Sequence, residues 1–378
     1  MMVSDSEGHF DATEGARKSI FFVRGTEIFN IDQFFDEFYK PGLLQDKLKA
    51  RDPAAPPEPS FRGGSIQERL KQSPPPTVEI LSPTNNDTIS TPSTTLSINL
   101  TNRGGGIDEI RVLNNGKRIP VDSEEAKKVK KEGKSISQSI EVSLVPGRNT
   151  VQVSAYSEGR IESSPSVVQL FYDGKGQVIN CYLVAVGINE YENPALNLNY
   201  AKDDAKAFSK AIQDQGKKLF KKVEVHTLYD REATRENILK ALEEFALKVR
   251  PEDVFVFYYA GHGSMVDNTF YFIPTENVSL YQADKLAEES IEAGAMQEKF
   301  RNISALKQVV VLDACQSGGS AEILAQRGAM EEKAMAQLSR SSGVHVMAAA
   351  GSEQYATEVA SLGHGLFTYA ILEALEGG

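Results

Sequence analysis

Hydrophobic rhythm divides the chain into stretches of different kinds. Between residues 77 and 172, apolar and polar residues alternate with period two in Val78–Leu81, Leu96–Leu100, Ile107–Leu113, Ile136–Val142 and Thr150–Ala155. A period of two sends every second side chain to one face, so these read as half-buried strands. Asn115-Gly116, between Leu113 and Ile119, suits a two-residue hairpin turn that needs positive φ, and Pro146-Gly147-Arg148-Asn149 marks another turn. From Val178 onward the rhythm changes. Cys181–Ile188, Val223–Leu228, Val254–Tyr259, Val309–Leu312 and Val344–Ala349 are short apolar runs that read as strands buried on both faces. Between them lie helical patterns. Asp203–Gln213 has Ala205, Phe208 and Ile212 on one face; Thr234–Val249 starts at a Thr cap with Asn237 where a full capping box has Glu or Gln; Phe367–Leu375 comes last. Thr269–Pro274 reads as a hairpin strand.

These patterns predict a multidomain chain. Residues 77–172 have the short strands and regular turns of an all-β immunoglobulin-like sandwich. Strands alternating with helices over 178–378 predict an α/β domain with a mostly parallel sheet and helices on both faces. Residues 1–50 form a short α+β connector. In it, Ser19–Val23 reads as a strand and Asp32–Phe38 as a helix stopped at Pro41-Gly42. That is too little chain for a core of its own, so its aromatics, Phe21, Phe22, Phe29, Phe34, Phe35, Phe38 and Tyr39, are expected to pack on another domain. Residues 51–76 form a proline-rich linker, stiff at Asp52–Pro59 and Pro74–Pro76, with a helical turn or two within Ser65–Gln72.

Composition narrows the class. The chain has 378 residues, 40% hydrophobic and 25% charged, a globular profile. No apolar run approaches the roughly 18–20 residues that span a bilayer. Met1–Glu7 lacks the basic and apolar regions of a signal peptide, which gives a cytoplasmic expectation. A net charge of −11 provides no electrostatic reason to expect nucleic acid or an anionic membrane as partner. The basic run Lys127–Lys131 reads as a solvated loop. With only Cys181 and Cys315, a disulfide framework is not expected, and a reducing compartment suits a working thiol.

The chemistry lies at two strand ends. Tyr258-Tyr259-Ala260-Gly261-His262-Gly263 closes one apolar run, and Asp313-Ala314-Cys315-Gln316-Ser317-Gly318-Gly319 closes another. In α/β folds the carboxyl ends of the strands lie along one edge, where sites are built. One strand thus delivers an imidazole to that edge and another a thiol, both in loops. A neutral His beside a Cys can take the thiol proton and leave the nucleophilic thiolate. Cys181 opens an apolar strand and reads as an inert buried thiol. His364, in Gly363-His364-Gly365, falls at the start of the last helix and reads as a loop or cap residue.

The paired motifs, with His262 preceding Cys315 by about 50 residues, resemble those of caspase-fold cysteine peptidases (clan CD, peptidase family C14). Asp313-Ala314-Cys315-Gln316-Ser317-Gly318 is similar to the form found in metacaspases and bacterial orthocaspases rather than in animal caspases. The resemblance covers residues 178–378. It implies Cys315 as nucleophile, His262 as general base, and an oxyanion hole of the Gly263 and Cys315 backbone N–H groups. It also implies a P1 pocket lined by Asp313 and, from Leu198–Ala205, Asp204. Two carboxylates suit the fork of a guanidinium, so cleavage after Arg, with Lys second, is expected. Caspase-like enzymes often carry a cleavable linker after the cysteine loop; in the polar, helix-prone Ala321–Ser342, Arg327 and Arg340 are self-cleavage candidates.

The expected activity is that of a cysteine endopeptidase acting on proteins or peptides through an acyl-enzyme. No metal ligands are assigned and no cofactor is required, although some metacaspases need Ca²⁺ and the acidic composition is compatible with such activation. Two other readings stand beside it: a non-enzymatic scaffold on a caspase-like fold, and a peptidase restrained by its N-terminal part. Gly8–Ala12 with Phe38–Leu44 resembles the connector of bacterial caspase-like proteins that carry an upstream β-propeller, so such a domain is a candidate neighbour. The chain ends at Gly378, soon after the last helix, where caspase-like domains usually continue with another strand.

Overall fold

A computed structural model describes residues 2–5, 7–24, 27–40, 42–43, 66–174, 178–266, 269–279, 283–316, 343–349, 358–359 and 364–377. Two units divide the chain, residues 1–174 and 175–378.

The first unit begins with two hairpins, β1 (Met2–Ser4) with β2 (Phe10–Ala12) and β3 (Phe21–Arg24) with β4 (Glu27–Asn30). Where one helix was expected over Asp32–Phe38, a 3₁₀ turn at Ile31–Phe34 runs into a single α-turn at Phe35–Phe38. The Asn30 side chain accepts the Asp32 N–H while Gln33 accepts the Asn30 N–H, and this reciprocal cap starts the chain in the tighter turn. Phe10, Phe34, Phe35, Phe38 and Tyr39 are all buried, and Phe35 stacks on Tyr39 at 4.4 Å between ring centroids.

The sandwich follows, as β5 (Thr77–Ser82), β6 (Thr88–Ile89), β7 (Ser93–Thr101), β8 (Glu109–Asn114), β9 (Lys117–Ile119), β10 (Ser135–Ser143), β11 (Gly147–Tyr156) and β12 (Ser166–Tyr172). One sheet has the order β10-β7-β5 and the other β6-β12-β11-β8-β9. Leu96, Ile98 and Leu100 of β7 share a core with Val151, Val153 and Ala155 of β11, as the alternation requires. The Asn115-Gly116 turn has φ of 50° and 85°, the positive pair of a type I′ hairpin. Three lysines of the basic run form surface ion pairs, Lys127 with Glu124, Lys128 with Glu125 and Lys130 with Glu158.

In the second unit the strands are β13 (Cys181–Gly187), β14 (Val223–Tyr229), β15 (Val254–Val266), β16 (Thr269–Phe272), β17 (Ile291–Glu292), β18 (Lys307–Gln316), β19 (His345–Ala348), β20 (Glu358–Val359) and β21 (His364–Gly365). Five of them lie parallel in the order β14-β13-β15-β18-β19. Alternate residues face opposite layers. Cys181, Leu183 and Ala185 pack with Tyr258, Val311 and the helices Ala201–Gly216 and Leu366–Glu376. Val184 and Val186 pack with Phe255, Phe257, Val310 and the helices Arg235–Ala246 and Ala293–Asn302. Both faces are therefore covered, which is why the strands read as continuous apolar runs.

The chain visits this sheet from the middle outward: β13 first, β14 on one side, then β15, β18 and β19 on the other. The order reverses between β13 and β15, and such a reversal opens a crevice at the carboxyl ends of the strands. Two strands run further than their apolar cores predicted. β13 stops at Gly187, opposite Ala260, but β15 continues to Val266 because β16 pairs antiparallel with Gly263–Val266. β18 stays paired beside β15 as far as Gln316. His262 and Cys315 thus stand in strand extensions and not in loops, a correction to the sequence reading. Among the described residues, no helix is long and apolar enough to cross a membrane.

Gly187 lets the helix Ala201–Gly216 close on the sheet. A Cβ there would meet the Ala201 carbonyl oxygen and the Ala205 Cβ at 2.6 Å and the Lys202 Cα at 2.9 Å. Backbone cannot yield as a flexible side chain does, so Gly187→Ala is expected to cost about 1–3 kcal/mol and to shift the helix that carries Asp204. Chemical denaturation measures the first effect.

Candidate active site

The register of β15 against β18 brings the two motifs together. His262 and Cys315 are direct partners across the ladder, and Ala260 and Asp313 are partners two residues earlier. Two residues of strand span about 6.6 Å, so Asp313 lies one short step before Cys315 along β18.

His262 is 5% exposed, and its ring is held by the loop that follows β13. The Leu196 carbonyl lies 2.8 Å from Nε2. A carbonyl only accepts, so Nε2 carries the proton, and in the neutral ring Nδ1 is the basic nitrogen. Leu196 is placed by a 3₁₀ turn, Pro194–Leu196, which Asn193 caps by accepting the Ala195 N–H at 3.1 Å. The same loop sends Tyr191 under the strand, where its Oη accepts the His262 N–H at 2.9 Å. Tyr259 donates its O–H to the His262 and Ile273 carbonyls, at 2.7 and 2.8 Å. Complete burial pushes the Tyr259 hydroxyl far up, so it stays a donor.

Space around this strand is reserved. A Cβ on Gly261 would fall 2.9 Å from Tyr191 Oη, and one on Gly263 would fall 2.5 Å from Phe270 Cζ. A side chain at either glycine that flanks His262 would press on a tyrosine or phenylalanine ring, which would have to shift. Asp230 anchors the loop from below. Its Oδ1 accepts the N–H groups of Asn189 and Glu190, and Oδ2 takes Lys202 Nζ at 2.5 Å. Burial raises the Asp230 carboxyl, but the Lys202 bond and the two N–H bonds outweigh it and hold the group below the usual carboxylate range.

Asp204 and Asp313 come together on the face of the sheet covered by the helices Ala201–Gly216 and Leu366–Glu376. Asp204 projects from the first turn of the helix Ala201–Gly216, and Asp313 from β18. Both are buried, at 3% and 6% exposure. Gly365 sits between them: a Cβ there would lie 3.1 Å from an oxygen of each. Its N–H donates to Asp204 Oδ2 at 3.0 Å. The Thr368 hydroxyl donates to Asp313 Oδ2 at 2.5 Å, and Tyr258, at 2.6 Å, is left to donate to Thr368. His364 Nδ1 reaches Asp204 Oδ1 at 2.6 Å, so the histidine expected to serve as a loop or cap residue faces this carboxylate pair. Burial, reinforced by the Asp313 charge, pushes the Asp204 carboxyl up to about 6 despite the Gly365 and His364 bonds.

Several partners were invisible in the sequence. Leu196 acts through its backbone, and Tyr191 and Thr368 sit far from either motif in the chain. Cys181 is as expected: it is buried, and burial with the Asp253 charge pushes its thiol up to about 12, which leaves it protonated and inert. Arg327 and Arg340, with Ser317, Gly318 and Gly319, lie outside the described residues. Asp5, Glu7 and His9 form an acidic group in the other unit, with His9 Nδ1 2.8 Å from Asp5 Oδ2.

The profile of the C14 peptidases, described as the caspase domain, matches residues 181–378, and that of a bacterial Ig domain matches 76–134. No curated protein matches the chain significantly. Among solved structures, protein GSU0716 from Geobacter sulfurreducens is 16% identical over 52% of this chain and 82% of its own, with a TM-score of 0.39. Raptor from Chaetomium thermophilum is 14% identical over 52% of this chain and 18% of its own, with a TM-score of 0.30. The fibronectin(III)-like modules of CbhA from Clostridium thermocellum are 18% identical over 25% of this chain and 96% of their own, with a TM-score of 0.19.

The raised Asp204 group has a consequence for stability. Its folded-state value of about 6 lies above the ordinary 3.8, so the folded chain holds this proton more tightly than the unfolded chain does. The sign then follows: this contribution to stability falls as pH rises from about 4 to beyond 6. Asp204→Asn is expected to remove that fall and to raise the melting temperature at pH 8 relative to the parent chain. Melting curves at pH 5 and pH 8 check it.

Proposed function

Because the chain belongs to the caspase-domain family of cysteine peptidases, we propose that it is an endopeptidase that cleaves after Arg, with Lys second. The observation that carries this reading is the ladder position of His262 opposite Cys315, with the imidazole oriented by the Leu196 carbonyl. In the proposed reaction Nδ1 of His262 takes the Cys315 thiol proton. The thiolate attacks the scissile carbonyl carbon, and the carbonyl π electrons move to oxygen. As the tetrahedral adduct collapses, the peptide C–N bond breaks and the imidazolium protonates the leaving amine. Water then adds to the thioester, giving its proton to His262, and the carboxylic acid leaves as the thiol is restored.

The oxyanion is assigned to the backbone N–H groups of Gly263 and Cys315. Both residues belong to the last rungs of the β15–β18 ladder, so this role requires the ladder to present those N–H groups to substrate. Two aimed donors are worth about 2.7–4 kcal/mol each in acyl transfer. The P1 pocket is assigned to Asp204 and Asp313, whose adjacent buried carboxylates suit a planar guanidinium better than a point charge. Self-processing after Arg327 or Arg340 follows from the same preference. The steps need no metal, and Ca²⁺ enters the proposal as a candidate activator only.

Fluorogenic peptides with Arg, Lys or Asp at P1, assayed with and without Ca²⁺, test the reading. Arg cleavage is expected, lost by at least about 10³-fold in Cys315→Ala and His262→Ala. Asp313→Asn is expected to raise KM for Arg peptides far more than for uncharged ones. Preferential cleavage after Asp would overturn the pocket assignment. Absence of cleavage under every condition would favour the scaffold. Intact mass after incubation reads self-cleavage at Arg327 or Arg340.

A further inference from the structure

The segment His364–Thr368 already satisfies the carboxylates assigned to the substrate. His364 holds Asp204 Oδ1, the Gly365 N–H holds Asp204 Oδ2, and the Thr368 hydroxyl holds Asp313 Oδ2. The Gly365 and Thr368 bonds come from the start of the helix Leu366–Glu376 and belong to its framework. The His364 bond is different in kind. It comes from a side chain 26% exposed, on the two-residue strand β21, and it is the one of the three that brings an ionisable base to the pair. The nearby charges of the helix Ala201–Gly216 are engaged elsewhere, Lys202 by Asp230 and Asp203 by Lys206. On the β21 side, Glu358 of β20 stands opposite Gly365 in the hairpin.

We propose that His364 is a specificity-determining residue that occupies the place of the substrate guanidinium on Asp204. Its ring occupies Asp204 Oδ1, and an incoming P1 guanidinium must displace it to reach both carboxylates. Displacement costs a charge-assisted hydrogen bond, which only a ligand that contacts Asp204 and Asp313 together repays. A bidentate guanidinium does so, whereas a lysine ammonium, a point charge, replaces the His364 contact without the second. Discrimination between Arg and Lys at P1 then depends on His364 and not on the carboxylates alone. This inference rests on the basic-pocket reading above and adds a competitor to it.

The test is binding of N-acetyl-arginine amide, whose one charge is the guanidinium, to the full chain carrying Cys315→Ala. Calorimetry at pH 7 compares that chain with the same chain also carrying His364→Gln or His364→Lys. The lysine places a permanent cation on Asp204 and is expected to weaken binding by at least about tenfold; the neutral glutamine is expected to tighten it. A measurement that needs no change at His364 accompanies this. The ring resonances of His364, assigned by their absence from His364→Gln, are expected to shift on saturation with N-acetyl-arginine amide. Equal dissociation constants in the three chains, or unmoved resonances, overturn the inference. Binding that Asp313→Asn abolishes but His364 changes leave untouched keeps the pocket and discards the competitor. Failure of every chain to bind discards both.

Discussion

The register between β15 and β18 is the constraint on which the site depends. A slip of one residue in a ladder turns every side chain to the opposite face. Here it would separate His262 from Cys315 and turn Asp313 away from Thr368 and the helix layer. The register is held upstream, where Phe255, Phe257 and Tyr259 pack into one layer and Tyr258 into the other, beside Val310, Val311 and Leu312. A core sealed on both faces has little freedom to slide. The rung that pairs His262 with Cys315 continues that core by a few residues, and its position is inherited from the packing upstream.

The two candidate functions of the site make opposite demands on the fold. The imidazole is served by groups that are fully satisfied: the Leu196 carbonyl takes Nε2–H, the Tyr191 hydroxyl takes the backbone N–H, and Tyr259 covers the backbone carbonyl. This part stabilises while it orients. The carboxylate pair costs stability instead, because burial and mutual repulsion oppose ionisation of Asp204. Hydrogen bonds from Gly365, Thr368 and His364 offset part of that cost in the ligand-free chain. A buried pair of like charges held near a candidate nucleophile is the arrangement expected of a site that receives a cation.

Much of this was legible in the chain. Apolar runs with period-two alternation located the sandwich strands, and Asn115-Gly116 marked its hairpin. The runs that end in His262 and Cys315 were legible because a strand buried on both faces has a continuous apolar signature. What was not legible is mostly backbone or long-range. The extension of β15 depends on β16 as an antiparallel partner, which polar Ser264 did not announce. Leu196 contributes a carbonyl, and any residue type carries one. β12 lies outside the period-two runs read from the sequence, although Val168, Leu170 and Tyr172 alternate into the core. His364 looked like a turn residue between glycines, since nothing local shows that Asp204, on a distant helix, meets it. Arg327 and Arg340 rest on specificity alone.

We propose Cys315 as a nucleophile served by an arginine pocket. The most direct test is covalent labelling with an arginyl acyloxymethyl ketone, followed by intact mass and peptide mapping. One adduct per chain, on Cys315 and suppressed by Asp313→Asn, is the predicted result. A label on Cys181, or labelling that ignores the arginine side chain, would rule out an arginine-directed Cys315 nucleophile.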